Sequence, residues 1–290
     1  MIIDSHAHYA HKRYENEFPY LDYQNGAFCP ARGDRKTMLD AMAHSGISLC
    51  IEAGIDLSQV ENQLALCSEY PGQFRPSLGV HPKKCAETAW KDRQILDRLA
   101  QQYDFVAIGE TGLDYSMDIQ LRNESVQKQW FEYQLNLAHE QKLPLVLHVR
   151  DAHADALQIL RAHRDMLHGG VAHCFSGDYE TAMAYIDLGF VLGIGGRLLH
   201  DDGLGATLQD VVRRVPLSAI LVETDAPYIL PDIQDMPLSG KQRKKLRNTS
   251  LILPAVIEKI AWLRDLPRQQ VEQAIYQNTL RVFRLDGVAL

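Results

Sequence analysis

The sequence predicts an α/β fold, a (β/α)8 TIM barrel in which the functional groups meet at the carboxyl ends of the strands. Eight short apolar runs alternate with longer amphipathic segments. Several of these runs end in a histidine or a carboxylate, scattered from position 6 to position 225. Such residues can meet only if the fold gathers its strand ends in one place, as a parallel barrel does.

The eight apolar runs are the expected strands, at about residues 2–6, 47–53, 74–80, 105–110, 143–148, 169–174, 190–195 and 219–224. Helical patterns lie near residues 35–45, 58–70, 87–102, 122–141, 151–165, 178–188 and 204–214, with a closing segment over 250–263 and 268–284. The competing architecture is an open doubly wound sheet. It would normally have a Gly-rich phosphate turn after the first strand, where this chain has His6-Ala-His8.

Length and composition favour one domain over residues 1–290, because no low-complexity linker divides the chain. The hydrophobic content of 46% can fill a large core. No apolar run is long enough to cross a bilayer, and the first residues lack the pattern of a secretory signal. The 5 cysteines are scattered, without a C-x-x-C pair. We therefore expect reduced cysteines and a cytoplasmic protein.

The net charge of −7 disfavours a protein that coats nucleic acid over a long surface, although it allows local contacts with phosphates. One basic run stands out, Lys241-Gln-Arg-Lys-Lys-Leu-Arg247. Such a run is either a phosphate contact or a solvated face or loop.

The strand ends carry the chemistry. His6 and His8 are two apart on the first strand, so both rings point to the same side. Glu110 ends the fourth strand, and a carboxylate buried there needs a cation, either a metal or an arginine such as Arg150. His148, His173 and Asp225 end later strands. Taken singly, each of these histidines could also be a hydrogen-bonded core residue.

Together, four imidazoles and two carboxylates suit one or two divalent ions of the Zn²⁺, Mn²⁺, Ni²⁺ or Co²⁺ type, with Mg²⁺ also possible. A structural zinc site would close with four ligands and prefer cysteines, and the sequence has no cysteine cluster. Six thiol-free groups at a barrel mouth therefore predict a hydrolytic centre with two metal ions.

The chain resembles the TatD family of metal-dependent hydrolases, which lies among the amidohydrolase-like barrels and includes deoxyribonucleases. The resemblance covers nearly the whole chain and rests on six motifs: Asp4-Ser-His6-Ala-His8, Gly79-Val-His81-Pro82, Gly109-Glu110-Thr-Gly-Leu-Asp-Tyr115, Leu147-His148-Val-Arg150, His173-Cys-Phe-Ser-Gly177 and Glu223-Thr-Asp225-Ala-Pro227.

The resemblance implies a role for each of these groups. His6, His8 and Asp225 would hold one metal ion, His148 and His173 would hold the second, and Glu110 would bridge the two. His81 would approach the bound substrate rather than a metal. Many amidohydrolases bridge their metals with a modified lysine, but no lysine stands at these strand ends.

The expected function is phosphodiester hydrolysis, as by a deoxyribonuclease that acts on DNA ends through water activated by two metal ions. The catalytic candidates are Asp225, Glu110 and His81, with Asp225 accepting the proton of the water. The expected substrate contacts are His81, Asp114, Arg150 and Arg247. An alternative is hydrolysis of an ester or amide, such as a lactone, a cyclic amide or an acyl-tRNA; a metal-holding scaffold is a third reading. The pattern indicates neither a membrane nor an obligate protein partner.

The chain departs from the family at two places. Residues 9–35 form a long segment with six aromatic residues where the family usually has a short turn. This insertion could be a lid that stacks a ring on the substrate, or a compact surface loop packed on its own rings. Thr249-Ser250 stands where many members have Glu-Pro, so the support that this loop gives the site is open.

Overall fold

Eight parallel strands form a nearly closed barrel, and a two-stranded hairpin follows the first of them. The computed structural model describes residues 1–116, 118, 123–233 and 236–285. The strands are β1 (Ile2–Ala7), β2 (Phe18–Gln24), β3 (Ala27–Gly33), β4 (Ile47–Glu52), β5 (Phe74–Leu78), β6 (Ala107–Asp114), β7 (Leu145–Arg150), β8 (Gly170–His173), β9 (Phe190–Ile194) and β10 (Ile220–Val222). The sheet runs β1-β4-β5-β6-β7-β8-β9-β10, all parallel, so the predicted (β/α)8 barrel is confirmed.

Helices surround the barrel at the predicted places. They are α1 (Arg35–His44), α2 (Val60–Glu69), α3 (Arg93–Gln102), α4 (Glu124–Gln141), α5 (His153–Ala162), α6 (Tyr179–Ile186), α7 (Gly203–Arg214), α8 (Gly240–Lys245), α9 (Leu253–Arg264) and α10 (Arg268–Phe283). Asp34, Asp178 and Asp202 begin α1, α6 and α7 by accepting a backbone N–H of the first turn. The short helix α8 was not predicted and lies within the basic run.

The interior of the barrel is filled by branched apolar side chains, which form a buried cluster that α10 also contacts. The strand members of this cluster are Ile3, Leu49, Ile51, Ala107, Val146, Val171, Val191 and Leu221. A second and larger cluster includes the buried residues of most of the surrounding helices. The interior is thus packed with side chains, and the candidate site lies at the carboxyl ends of the strands.

The barrel closes where the segment after β10 lies beside the end of β1. The N–H of His8 donates to the carbonyl of Ala226 at 2.8 Å, and the N–H of Asp225 donates to the carbonyl of His6 at 3.0 Å. The eighth strand was predicted to reach residue 224, but β10 ends at Val222. The chain leaves the ladder there, which brings Asp225 beside the end of β1.

The fourth barrel strand also differs from its prediction. It was expected to end at Glu110, but β6 continues to Asp114. Ile108 pairs with Leu145 whereas Thr111 pairs with Leu147, so one extra residue forms a bulge between them. A bulge re-aims the side chain beside it. Glu110 therefore points into the barrel from within the strand, and its N–H donates to the carbonyl of Gly54 at 2.7 Å.

The insertion is a hairpin whose rings are mostly buried, so the prediction of a ring that stacks on substrate is wrong for four of the six aromatics. Tyr9, Tyr14, Phe18 and Tyr20 expose 4% or less of their surface. Successive rings among these four contact one another, with centroids 4.9–5.9 Å apart. Tyr23 packs against Phe28, and its hydroxyl donates to Glu258 of α9. The alternative, a compact segment packed on its own rings, describes this structure.

Thr249-Ser250 supports the site through hydroxyl groups. The Ser250 hydroxyl lies 2.6 Å from Asp4 Oδ2 and 2.8 Å from the Tyr9 hydroxyl. Asp4 also accepts the Thr224 hydroxyl at 2.6 Å. These buried bonds connect β1, the start of the insertion at Tyr9 and the turn that carries Asp225.

Replacing Ser250 by alanine should lower the free energy of unfolding by about 2 kcal/mol, because Asp4 and Tyr9 each lose a buried partner. Urea unfolding measures this loss. Ser45→Ala, at an exposed position after α1, is the matched control. Equal stabilities of the two variants would contradict the account of this network.

Candidate metal centre and active site

A single carboxylate, Glu110, stands at the centre of the site. Its Oε1 lies 3.2 Å from His6 Nε2 and 3.3 Å from His8 Nε2. Its Oε2 lies 3.2 Å from His148 Nδ1 and 3.9 Å from His173 Nε2. The two oxygens of Glu110 thus face two different groups of imidazoles.

Asp225 completes the first group. Its Oδ1 lies 3.1 Å from His8 Nε2 and 4.0 Å from both His6 Nε2 and His173 Nε2. The backbone of Asp225 is left-handed, with φ 54°. This sparsely populated conformation is tolerated best by glycine, asparagine and aspartate, and it recurs at functional sites. Here it turns the carboxylate toward the histidines of β1.

The structure brings all six expected metal ligands together. Among the described residues, four sets of donor atoms lie within 4.8 Å of one another and could each hold an ion. Three of them contain the expected ligands: His6, His8 and Asp225; His6, Glu110 and His173; His81, Glu110 and His148. The fourth is His173, Cys174 and Glu223. His81 thus stands beside the second group, with its Nε2 3.7 Å from Glu110 Oε2.

A hydrogen bond from the backbone defines the tautomer of a neutral His81. The N–H of Lys83 donates to His81 Nδ1 at 3.0 Å, so the proton of a neutral His81 is on Nε2. That nitrogen lies 3.1 Å from His148 Nδ1, and His148 Nε2 lies 3.0 Å from Asp114 Oδ2. A neutral His81 therefore presents a donor at Nε2, and Nδ1 of His148 lies between that donor and Glu110 Oε2, at 3.1 Å and 3.2 Å. This arrangement favours His81 as a hydrogen-bond donor rather than a metal ligand.

Outer partners orient the other imidazoles, as is usual around metal sites. His8 Nδ1 lies 3.3 Å from the carbonyl of Ala53. His173 Nδ1 lies 2.9 Å from Glu223 Oε1. Sequence reasoning assigned no role to Glu223, although it stands two residues before Asp225 in the same motif. It was missed because nothing local shows which way its side chain points.

Asp114 was expected to contact the substrate, but its carboxylate is buried and already paired. One oxygen accepts the Ser116 hydroxyl, and the other lies 3.0 Å from both His148 Nε2 and Lys83 Nζ. These contacts hold the pKa of Asp114 below its ordinary value despite burial. Asp114 orients His148 and does not face the pocket.

The surroundings of His6 indicate that this donor set fits a metal ion. Nδ1 of His6 is fully buried and has no hydrogen-bond partner in the described chain, and its Nε2, equally buried, faces the Glu110 carboxylate at 3.2 Å without hydrogen-bonding geometry. A buried polar group without a partner is costly. A divalent cation between His6 Nε2 and the two carboxylates would remove that cost at Nε2, and the imidazole and carboxylate donors suit such an ion.

Burial lowers the pKa of each imidazole in this site, whereas nearby carboxylates raise it. The Asp225 and Glu110 carboxylates raise the pKa of His8 to about 9, and Glu223 chiefly raises the pKa of His173 to about 9. Burial and the nearby His148 lower the pKa of His81 to about 3, so His81 is neutral. The histidines outweigh burial at Asp225 and lower its pKa.

A pocket of about 310 Å³ opens onto these groups. Arg150 is in its wall, where its guanidinium contacts Cys174 Sγ at 3.6 Å. No ion pair between Arg150 and Glu110 occurs among the described residues, so the alternative in which this arginine neutralises Glu110 is wrong. Other wall residues are His8, His81, Lys83, Lys84 and Tyr228.

The expected substrate contact Arg247 does not line this pocket. Its backbone pairs with β2, through Pro19 and Leu21, and its guanidinium donates to the carbonyl of Lys245. The preceding basic residues Lys241, Lys244 and Lys245 are exposed on α8, as the alternative of a solvated face predicts.

None of the helices in the described parts of the chain has the length and apolar character that crossing a membrane requires. The cytoplasmic location stays a prediction.

Metal binding to this site should strengthen as the pH rises from about 6.5 to 9. His8 and His173 have ordinary pKa values of 6.5, which the site raises to about 9, so a metal must displace their protons at neutral pH. The same raised values stabilise the metal-free protein below pH 6.5, and that stability is lost as the pH rises through 9. Calorimetric titration with Mn²⁺ and thermal unfolding in chelator measure the two effects.

The two pH dependences must have opposite signs. Metal affinity that is constant across this range, or a metal-free protein that becomes more stable with rising pH, would contradict the assignment of charge to these two imidazoles.

Comparison with known proteins places this site in a family. Residues 3–284 match the family described as TatD related DNase. The chain is 33% identical over 255 residues to the 3'-5' ssDNA/RNA exonuclease TatD of Yersinia pseudotuberculosis, covering 87% of this chain and 94% of that protein. The protein of the same name from Erwinia billingiae is 32% identical, with 88% of this chain and 94% of the relative covered.

Solved structures agree. The TatD homologue YJJV of Escherichia coli superposes with a TM-score of 0.78 at 27% identity, covering 98% of both chains. The predicted family is thereby confirmed. This chain belongs to the TatD-related DNase family and is a hydrolase of that family, built on a TIM barrel.

Proposed function

We propose that this TatD-family hydrolase is a metal-dependent phosphodiesterase that removes nucleotides from the ends of single-stranded DNA. The observation that carries the proposal is the position of Glu110, whose two oxygens face two separate groups of imidazoles. A carboxylate between two donor groups is the arrangement that a two-metal hydrolytic centre needs.

The proposal assigns one ion to His6, His8 and Asp225, and the other to His148 and His173, with Glu110 shared between them. When bound, such ions lower the pKa of water and neutralise charge on a phosphate. Zn²⁺, Mn²⁺, Ni²⁺, Co²⁺ and Mg²⁺ remain the candidates, because imidazole and carboxylate donors are compatible with all five.

The protein's own groups supply proton transfer and charge stabilisation. Asp225 is ionised at neutral pH, since nearby histidines lower its pKa, and its side chain is 18% exposed to the pocket. It can therefore accept the proton of the attacking water. His81 is neutral and carries its proton on Nε2, so it can donate a hydrogen bond to a phosphate oxygen as charge develops there. Arg150 supplies a fixed positive charge in the same wall.

The size of the pocket and the net charge of the chain both support cleavage at an end of the strand. A space of about 310 Å³ at the mouth of a packed barrel suits a single terminal unit rather than a continuous duplex. The net charge of −7 also disfavours a long DNA-binding surface. The relatives named 3'-5' ssDNA/RNA exonuclease support a single-stranded substrate and attack from an end.

Carbonyl hydrolysis is the alternative, because the same centre could act on a lactone, a cyclic amide or an acyl-tRNA ester. Rates on single-stranded DNA, on bis-p-nitrophenyl phosphate and on simple esters or lactones decide between the two reactions. A scaffold without catalysis is disfavoured, because all six expected ligands converge.

Glu110→Gln should leave the fold intact, lose at least one metal ion and lower turnover by about a thousandfold, because the shared charge between the two donor groups disappears. Elemental analysis of the purified protein and phosphodiesterase assays measure both effects. Glu69→Gln, at the exposed end of α2, is the matched control. Full metal content and full activity of Glu110→Gln would refute the assignment.

Circular single-stranded DNA should remain intact over times in which linear DNA of the same sequence is degraded. The reason is that the pocket accepts an end and not a continuous strand. Gel electrophoresis of both substrates tests this, with Glu110→Gln as the control for contaminating nucleases. Rapid cutting of the circle would show endonuclease action and overturn the exonuclease proposal.

A further inference from the structure

The inserted segment reaches the mouth of the pocket through a cation stacked on an aromatic ring. The guanidinium of Arg13 lies 5.1 Å from the ring centroid of Tyr228. Tyr228 is in the pocket wall, where the rings of His8 and His11 each lie 6.0 Å from it. Arg13 is therefore one ring away from a proposed metal ligand, although it belongs to a part of the chain that the family usually lacks.

The turn that carries Arg13 is firmly held. Glu52 accepts the N–H groups of Tyr9 and Ala10, at 2.7 Å and 3.0 Å. Tyr14 is buried, and its hydroxyl donates to the carbonyl of Asn248 at 2.6 Å. Arg13 itself is exposed. A stacked guanidinium on a rigid turn keeps its N–H edge free for a planar or tetrahedral anion.

Further cations lie around this arginine. Lys12 precedes it in the chain, and Arg247 stands beside the same turn, because Asn248 accepts the Tyr14 hydroxyl at 2.6 Å. In the part of the chain that the structure describes, neither Arg13 nor Arg247 forms an ion pair with a carboxylate, and the Nε of Arg247 is buried without a partner. Clustered cations without a counter-charge form a site for an anion.

We propose that Arg13, stacked on Tyr228, binds the backbone phosphate next to the linkage that is cleaved. The inference rests on the proposed function and deepens it. The terminal nucleotide occupies the pocket at the metal centre, and the remaining strand leaves over Tyr228 toward the insertion. The enzyme thus distinguishes a chain with a second phosphate from one without it. A lone phosphodiester gains nothing from this subsite.

Two short substrates isolate this subsite. A thymidine dinucleotide has one phosphate, at the linkage to be cut, whereas a trinucleotide also has the neighbouring phosphate. The measurement is the ratio of kcat/KM for release of the first nucleotide from the trinucleotide to that from the dinucleotide. The wild-type ratio should be about ten, the value of one charge-assisted contact, and Arg13→Ala should bring it close to one. Arg13→Lys should keep part of the preference.

Arg32→Ala is the matched control, because Arg32 is an exposed arginine of the same hairpin that pairs with Glu17. It should retain the wild-type ratio. A wild-type ratio near one, or equal ratios in Arg13→Ala and Arg32→Ala, would overturn the subsite while leaving phosphodiester cleavage established.

Binding without turnover separates this proposal from the proposed function. In chelator, fluorescence anisotropy of a labelled thymidine decanucleotide should show weaker binding by Arg13→Ala than by Arg32→Ala. The slope of log affinity against log salt should be smaller by about 0.7 in Arg13→Ala, as expected for one lost phosphate contact on a single strand. Identical slopes would overturn the subsite. If the wild type cleaves neither short substrate, the proposed function fails, and this binding arm still decides whether the subsite exists.

Discussion

The structure depends on placing one ionised carboxylate, Glu110, deep inside a ring of imidazoles. A buried carboxylate is costly unless cations or donors surround it, and His8, His148 and His173, whose pKa values the site raises, supply positive charge around Glu110. The bulge in β6 is the local device that turns this side chain inward. Gly79 makes room for it, because a Cβ there would lie 2.5 Å from the carbonyl carbon of Gly109. The bulge in β6 thus determines where the negative charge of Glu110 lies in the site.

A second set of polar groups holds the first in place. Asp114, Glu223 and the carbonyl of Ala53 fix the outer nitrogens of three imidazoles, so the inner nitrogens face Glu110 and Asp225. Behind them, the Ser250 hydroxyl donates to Asp4 and contacts the Tyr9 hydroxyl, and Asp4 also accepts the hydroxyl of Thr224, the residue before Asp225. Here the chain has the hydroxyl groups of Thr249 and Ser250 in place of the Glu-Pro of many relatives, and Tyr9, at the start of the insertion, supplies another. The insertion and the substituted loop form one supporting unit.

Much of this was predictable from the sequence, since strand ends of a parallel barrel must meet and His6, His8, His148 and His173 all stand at such ends. Predictions failed where the backbone departs from a regular strand. Glu110 is in a bulge rather than at an end, and Asp225 follows a strand that stops early. The contacts of neighbouring polar residues could not be predicted either. The alternation of apolar and polar residues does not show that Asp114 contacts His148 or that Arg13 contacts Tyr228. Those contacts join segments distant in sequence.

Anomalous diffraction from crystals grown with Mn²⁺ tests the central claim most directly, because it counts the ions and identifies their ligands. The account predicts two peaks about 3.5–4 Å apart, one beside His6, His8 and Asp225 and one beside His148 and His173, with an oxygen of Glu110 at each. A single peak, or two peaks without Glu110 between them, would contradict it.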